Sequence, residues 1–204
     1  MAVSIWHKQS TLRNEGGGVV AVIDQTLTWR KVEQRLETET DPVLRRNLEL
    51  LLTHMKAEAV LDLPALMSTV AEDSVYQNFQ ADPSTWPRGK AGVQAFYENF
   101  AASGAQKLCL DLDRLVVDRD CILTEGLMLM AWPGRTLQTM GIEVDDLDAD
   151  YLYEARMAIV WPIDEDGLFV GEDSYVGRDG FEGIAERKLR PEDIVLYEPM
   201  AATP

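Results

Sequence analysis

The sequence predicts an α+β fold. Apolar residues recur at helical spacing through the first half of the chain, whereas four stretches of the second half are rich in apolar and aromatic residues and read as strands. Turn signals separate these stretches: Asp118, Arg119 and Asp120, then Pro133 and Gly134, then residues 164–167. Helices followed by a run of antiparallel strands is a segregated order, unlike the alternation that builds a parallel α/β sheet.

Residues 1–27 read as an arm leading into a short strand or docking segment. Gly16, Gly17 and Gly18 act there as a hinge; a phosphate loop would need a preceding strand, a following helix and a spaced Lys-Ser/Thr pair. Trp29, Val32 and Leu36 give a helix over residues 28–37. Thr40, Asp41 and Pro42 then supply a cap and a helix-opening proline. The long helix that follows, residues 42–60, places Leu44, Leu48, Leu51, Leu52, Met55 and Ala59 on one apolar face. His54 stands at the edge of that face, one turn before Glu58. A short helix over residues 62–71, a strand over 74–79, a loop and a helix over 90–102 complete the first half. Val93, Phe96, Tyr97 and Phe100 mark the last helix. The later strands are expected at 108–117, 121–132, 151–163 and 168–176, with a short helix at 180–188 and a surface strap from 191 onward.

The chain has 204 residues, 46% of them apolar, which is enough for one core with an extension. The division expected is an extension over 1–41, one domain over 42–190 and a tail over 191–204. A net charge of −16 excludes nucleic acid and anionic membrane surfaces as partners. The N-terminus lacks a signal-peptide pattern, no long apolar run occurs, and a soluble cytoplasmic protein is expected. Cys109 and Cys121 have no CxxC spacing and read as reduced core residues.

No metal or cofactor is expected. The histidines are His7 and His54 alone, and neither HExxH nor paired CxxC occurs. Asp146, Asp148 and Asp150 alternate like the start of a calcium loop, but Tyr151 and Met157 stand where such a loop needs glycine and glutamate. Without a GxSxG motif or a cysteine with a nearby histidine, proton-transfer chemistry is left as the enzyme reading.

Several segments carry a family resemblance. The run from His54 through Val60 and Leu61 to Asp62 and Leu63, the pair Val75 and Tyr76, the stretch from Gly89 to Tyr97 and the stretch from Gly171 to Val176 resemble the nuclear transport factor 2-like superfamily. That superfamily includes ketosteroid isomerase, scytalone dehydratase and the SnoaL-like polyketide cyclases. The resemblance covers roughly residues 42–190. It implies a cone-shaped, curved antiparallel or mixed sheet wrapped by the N-terminal helices around a deep pocket for a small apolar or aromatic molecule. It also implies a homodimer or higher homo-oligomer paired through the convex sheet face, where Leu123, Leu127 and Leu129 add a second apolar side to their strand. His54 falls near the isomerase's oxyanion-stabilising tyrosine. The isomerase's catalytic aspartate falls near Gln77, which cannot abstract a proton at neutral pH.

A pocket of this kind needs an apolar wall and a few polar groups tuned by burial. His54 can donate or accept a proton near neutrality, or serve as a core-edge histidine bonded to backbone. Tyr151 and Tyr153 share a strand face with Met157, Ile159 and Trp161. On the closing strand Asp173 and Tyr175 share one face and Glu172 takes the other, so one acid reaches the site and parity leaves open which. Glu125 interrupts an apolar strand and must find a partner or shift its pKa, which leaves functional and ion-pair roles equally open. The catalytic candidates are therefore His54, Asp173, Glu172, Tyr153 and Glu125. Tyr76, Asn78, Met128, Trp132, Tyr151, Trp161 and Tyr175 are the substrate-binding candidates.

The function expected is a cofactor-independent lyase acting on a small aromatic hydroxylated substrate. The extended arm, the aromatic set and the missing isomerase aspartate look similar to the diarylpropane lyases, which eject formaldehyde from lignin-derived dimers through a quinone methide. A polyketide cyclase, dehydratase or isomerase and a non-catalytic binding module are the alternatives.

Overall fold

The long helix is set by its ends. Asp41 accepts hydrogen bonds from the Val43 and Leu44 amides at 2.8 and 3.4 Å, with Pro42 in the first turn. Leu61 closes the helix in the left-handed region at φ 55°, and the Asp62 amide donates to the Ala57 carbonyl. The computed structural model of the protein describes residues 21–199, so His7, the three-glycine hinge and most of the expected arm lie outside the described residues.

In chain order the elements are β1 (Ile23–Asp24), α1 (Leu27–Thr38), α2 (Pro42–Val60), α3 (Leu63–Met67), β2 (Val70–Asn78), α4 (Gly89–Ser103), β3 (Leu108–Val117), β4 (Cys121–Pro133), α5 (Gly134–Thr139), β5 (Asp150–Pro162), β6 (Phe169–Val176) and β7 (Ile194–Val195). The main sheet runs β2-β6-β5-β4-β3, and β1 pairs with β7 apart from it. β2 runs parallel to β6 and the other neighbours are antiparallel, so the sheet is mixed. The longest pairing, β4 with β5, keeps register from Cys121 opposite Pro162 to Pro133 opposite Asp150.

Three apolar clusters fix the layers. The largest joins Trp29 and Val32 of α1 and Leu48, Leu51 and Met55 of α2 to the inner faces of β3, β4, β5 and β6. A second binds α3, α4 and β2 through Leu66, Val70, Tyr76, Val93 and Tyr97. The third lies on the outer face, where Ile23, Leu189 and Ile194 cover Cys109, Leu127, Leu129 and Ala131. This part of the convex face, expected to meet a partner, packs against the first and last segments of the described residues. Gln25 ties those segments to the helical layer: its Nε2 donates to Ala59 and Gln106 carbonyls, and its Oε1 accepts from the Tyr197 amide.

Several boundaries differ from the sequence expectation. α3 stops at Met67 and β2 begins at Val70, because Phe169 pairs with Val70 and holds the segment extended. A short helix, α5, replaces the expected turn after Pro133, anchored by fully buried Leu137 and by the Thr136 hydroxyl on the Ser103 carbonyl. Residues 180–188 hold only a 3-10 turn, Ile184–Glu186. The Arg187 guanidinium donates to the Gly180, Glu182 and Leu152 carbonyls there, binding a loop where a helix was expected. Cys109 and Cys121 are free, as expected.

Candidate active site

His54 is fully buried on α2, between elements that each contribute one polar or aromatic partner. Its Nδ1 lies 2.7 Å from Thr69 Oγ1, just before β2, and its Nε2 lies 3.1 Å from the Tyr97 hydroxyl of α4. Trp161 and Phe169 close around the imidazole edge-on, with ring centroids 5.3 and 5.4 Å away. The Tyr97 hydroxyl is in turn 3.5 Å from that of Tyr76 on β2. Burial holds the imidazolium off and pushes the His54 pKa down to about 3, so the ring is neutral.

Two carboxyls complete this cluster. Glu58 follows His54 by one helical turn, and Glu172 stands opposite Tyr76 in the β2–β6 pairing. Burial raises the Glu58 carboxyl to about 7. It also raises Glu172 to about 8, with the charges of Glu58 and then Asp173 adding to the effect. Among the described residues neither carboxyl has a cation or hydrogen-bond donor to offset its burial. Both acids keep some accessible surface and Tyr76 keeps 5%, whereas His54 and Tyr97 are sealed; the acids and then Tyr76 therefore form the accessible end of the cluster. Burial first, and then the two acids, hold the Tyr76 and Tyr97 hydroxyls protonated well above their ordinary range.

Of the residues singled out from sequence, the structure gathers His54, Glu172, Tyr76 and Trp161. It separates the others. Asp173 lies on the opposite side of β6, where its carboxylate accepts from Gln77 Nε2 at 2.7 Å. The exposed Tyr175 stacks on Phe79 at 4.6 Å on that side. Glu125 is held by Arg114 and Arg156 across β3 and β5, which resolves its partner question as an ion-pair network. Asn78 is exposed and its side chain accepts from the Gln80 amide.

Tyr151 and Tyr153 do share the inner face of β5 with Ile159 and Trp161. The eight residue steps of extended strand from Tyr153 to Trp161, however, span on the order of 25 Å. Tyr151 is engaged locally, donating to Asp145 at 2.5 Å. Tyr153 and Trp132 pack on Phe181 at 4.9 and 5.0 Å, and Met128 lies in the core between the two ends. These four line the same interior without joining the polar cluster.

Sequence reasoning missed Glu58 and Tyr97 as site residues. The clue to Glu58 was its place three, four and seven residues after Met55, His54 and Leu51, a carboxyl on a buried helix face. Tyr97 read as core, and nothing in its spacing marked the hydroxyl.

No metal-holding group of three or more His, Cys, Asp or Glu occurs among the described residues, and none of their helices is long and apolar enough to cross a membrane. A cleft of about 160 Å³ between the end of α2 and the C-terminal segment, lined by Gln25, Val60, Gln106 and Tyr197 among others, contains none of the cluster.

No protein-family model and no curated protein gives a significant match to the sequence. Solved structures do. A SnoaL-like polyketide cyclase assignment from Shewanella denitrificans superposes with a TM-score of 0.58 at 14% identity, covering 72% of this chain and 98% of that one. An LEH-like epoxide hydrolase from Mycobacterium tuberculosis gives 0.53 at 14% identity, with 72% and 94% covered. A nuclear transport factor 2-like protein from Anabaena variabilis gives 0.50 at 15% identity, with 70% and 97% covered. At these identities the likeness is one of fold.

Proposed function

The chain has the nuclear transport factor 2-like fold, and on that frame we propose that it is a cofactor-independent acid–base enzyme, a lyase in the broad sense that includes dehydratases, for a small aromatic hydroxylated molecule. The observation that carries this reading is the Glu58 and Glu172 pair: two carboxyls, raised to about 7 and about 8, without a counter-ion among the described residues. A purely structural acid in such a place would be costly, and acids poised near neutrality suit general acid–base work.

Near neutral pH the pair holds roughly one proton, which leaves one carboxylate as base and one carboxylic acid as donor. The base takes a proton from the substrate, and the electron pair so released expels a group whose departing oxygen receives the proton of the acid. For a phenolic diarylpropane diol, the acid would protonate the departing benzylic hydroxyl, which leaves as water. The base would take the hydroxymethyl proton as the carbon–carbon bond breaks to formaldehyde and a stilbene.

The net negative charge of the protein and the pair itself disfavour anionic substrates. Phe96, beside Tyr76 at 6.2 Å and partly exposed, gives the accessible end of the cluster an aromatic neighbour that suits a flat ring. A polyketide cyclase would use the same acid–base pair for an intramolecular aldol step.

The test is to incubate purified protein with that diol, without added metal or cofactor, and follow stilbene absorbance and formaldehyde together. Equal amounts of both, lost in Glu58→Gln and Glu172→Gln, would support the reading. Silence would remove the diarylpropane substrate and direct a thermal-shift screen of neutral phenols and polyketide-like diketones.

A further inference from the structure

We propose that Tyr76 is the hydroxyl that donates to the substrate oxygen in this site, and that His54 is a positioning residue that takes Tyr97's proton out of play. The inference rests on the reading of Glu58 and Glu172 as the acid–base pair and adds a direction to the hydrogen bonds beside them.

The direction follows from proton counting along the chain. Thr69 Oγ1 lies 2.6 Å from the Leu66 carbonyl, which can only accept, so the single threonine proton is used there. At 2.7 Å from His54 Nδ1 the same oxygen can then only accept, and Nδ1 must carry the hydrogen. A neutral imidazole with hydrogen on Nδ1 has a bare Nε2, and the Tyr97 hydroxyl 3.1 Å away must donate to it. Tyr97 has no second proton. Toward Tyr76 it can only accept, across 3.5 Å, at the outer limit of a hydrogen bond.

Tyr76 is thus the hydroxyl of the chain whose hydrogen bond is weakest, so its proton can turn to another acceptor. It shares a register position with Glu172. A substrate oxygen that gains negative charge beside the acids would draw the Tyr76 proton at little cost, because the bond it replaces is stretched. The substrate class this favours has an uncharged oxygen that becomes anionic during the reaction, as a phenol or an enolisable ketone does. With the opposite histidine tautomer, Tyr97 would accept from Nε2 and turn its own proton toward Tyr76, and His54 would no longer hold that proton out of play.

Two measurements test this on the intact chain. In ¹⁵N-histidine-labelled protein, His54 should show a protonated Nδ1 and a pyridine-type Nε2, unchanged across neutral pH. A protonated Nε2 would overturn the assignment and leave the acid–base pair untouched. The second is absorbance titration with 4-nitrophenol below its own pKa, where it enters uncharged: Tyr76→Phe should weaken binding about three- to tenfold, the loss of one hydrogen bond. Tyr97→Phe should weaken it less while lowering the melting temperature more. The reverse order would overturn the role of Tyr76. Failure of the unaltered protein to bind the probe would count against the site reading itself, and the role of Tyr76 would fall with it.

Discussion

Tyr76 and Glu172 stand opposite one another in the parallel pairing of β2 with β6, and this register brings a phenol and a carboxyl from distant parts of the chain to one face of the sheet. Glu58 reaches the same place from α2. The repulsion between the two acids gives a direct prediction. In ¹³C-glutamate-labelled protein, two carboxyls should titrate near neutrality. In Glu58→Gln the remaining one should move downward and stay above the ordinary range, because burial is its larger cause. Two carboxyls titrating with the bulk of the glutamates would contradict the pair. Each Gln variant should lower kcat/KM by about 10²- to 10⁴-fold, the usual reach of a general acid or base.

The same groups make stability depend on pH in opposing directions. Glu58 and Glu172 hold protons in the folded state that an unfolded chain releases near its ordinary carboxyl pKa. Their contribution therefore falls as pH rises from that value through about 7 and about 8. His54, at about 3 when folded, binds its proton only on unfolding below its ordinary pKa, so its contribution is lost as pH falls through that range toward 3. Urea melts from pH 4 to 9 should show a flatter alkaline limb in Glu172→Gln than in the unaltered protein. An unchanged limb would remove Glu172 as a buried acid.

Glu125 and Asp173 provide the contrast. Both acids lie away from the cluster, Glu125 with two arginines whose side chains remain 69% and 44% exposed. Glu125→Gln should cost no more than about 1 kcal/mol, as exposed ion pairs do. Both Glu125→Gln and Asp173→Asn should retain activity, and a hundredfold loss in either would move the site to the other face.

The helices and strands were legible because each announces itself locally. Asp41 and Pro42 mark the start of α2, and period two sorts Tyr151, Tyr153 and Trp161 onto one face of β5. The choice between Glu172 and Asp173 was not legible, since it depends on which side of β6 meets α2, a long-range fact. Glu125 could not be placed without Arg114 and Arg156 on neighbouring strands. β1 and β7 have two residues each and no periodicity to read; only their meeting defines them.

A glycine makes the fourth prediction. A Cβ on Gly126 would lie 2.2 Å from the Asp111 carbonyl oxygen, where β3 shifts register between Leu112 and Arg114. Backbone must move to admit it. Gly126→Ala should therefore destabilise the protein by about 1–3 kcal/mol in urea melts; a neutral result would mean that the irregularity relaxes freely.

The pairing of β1 with β7 also sets an order of events. Ile23 meets Ile194 in parallel register, so among the described residues the last strand to be synthesised docks beside the first. Until it does, Leu127, Leu129 and Ala131 lack part of their outer cover. A nascent or refolding chain should pass through a stage in which the helical layer and main sheet have formed while this apolar strip still faces water, the stage at which aggregation competes with folding.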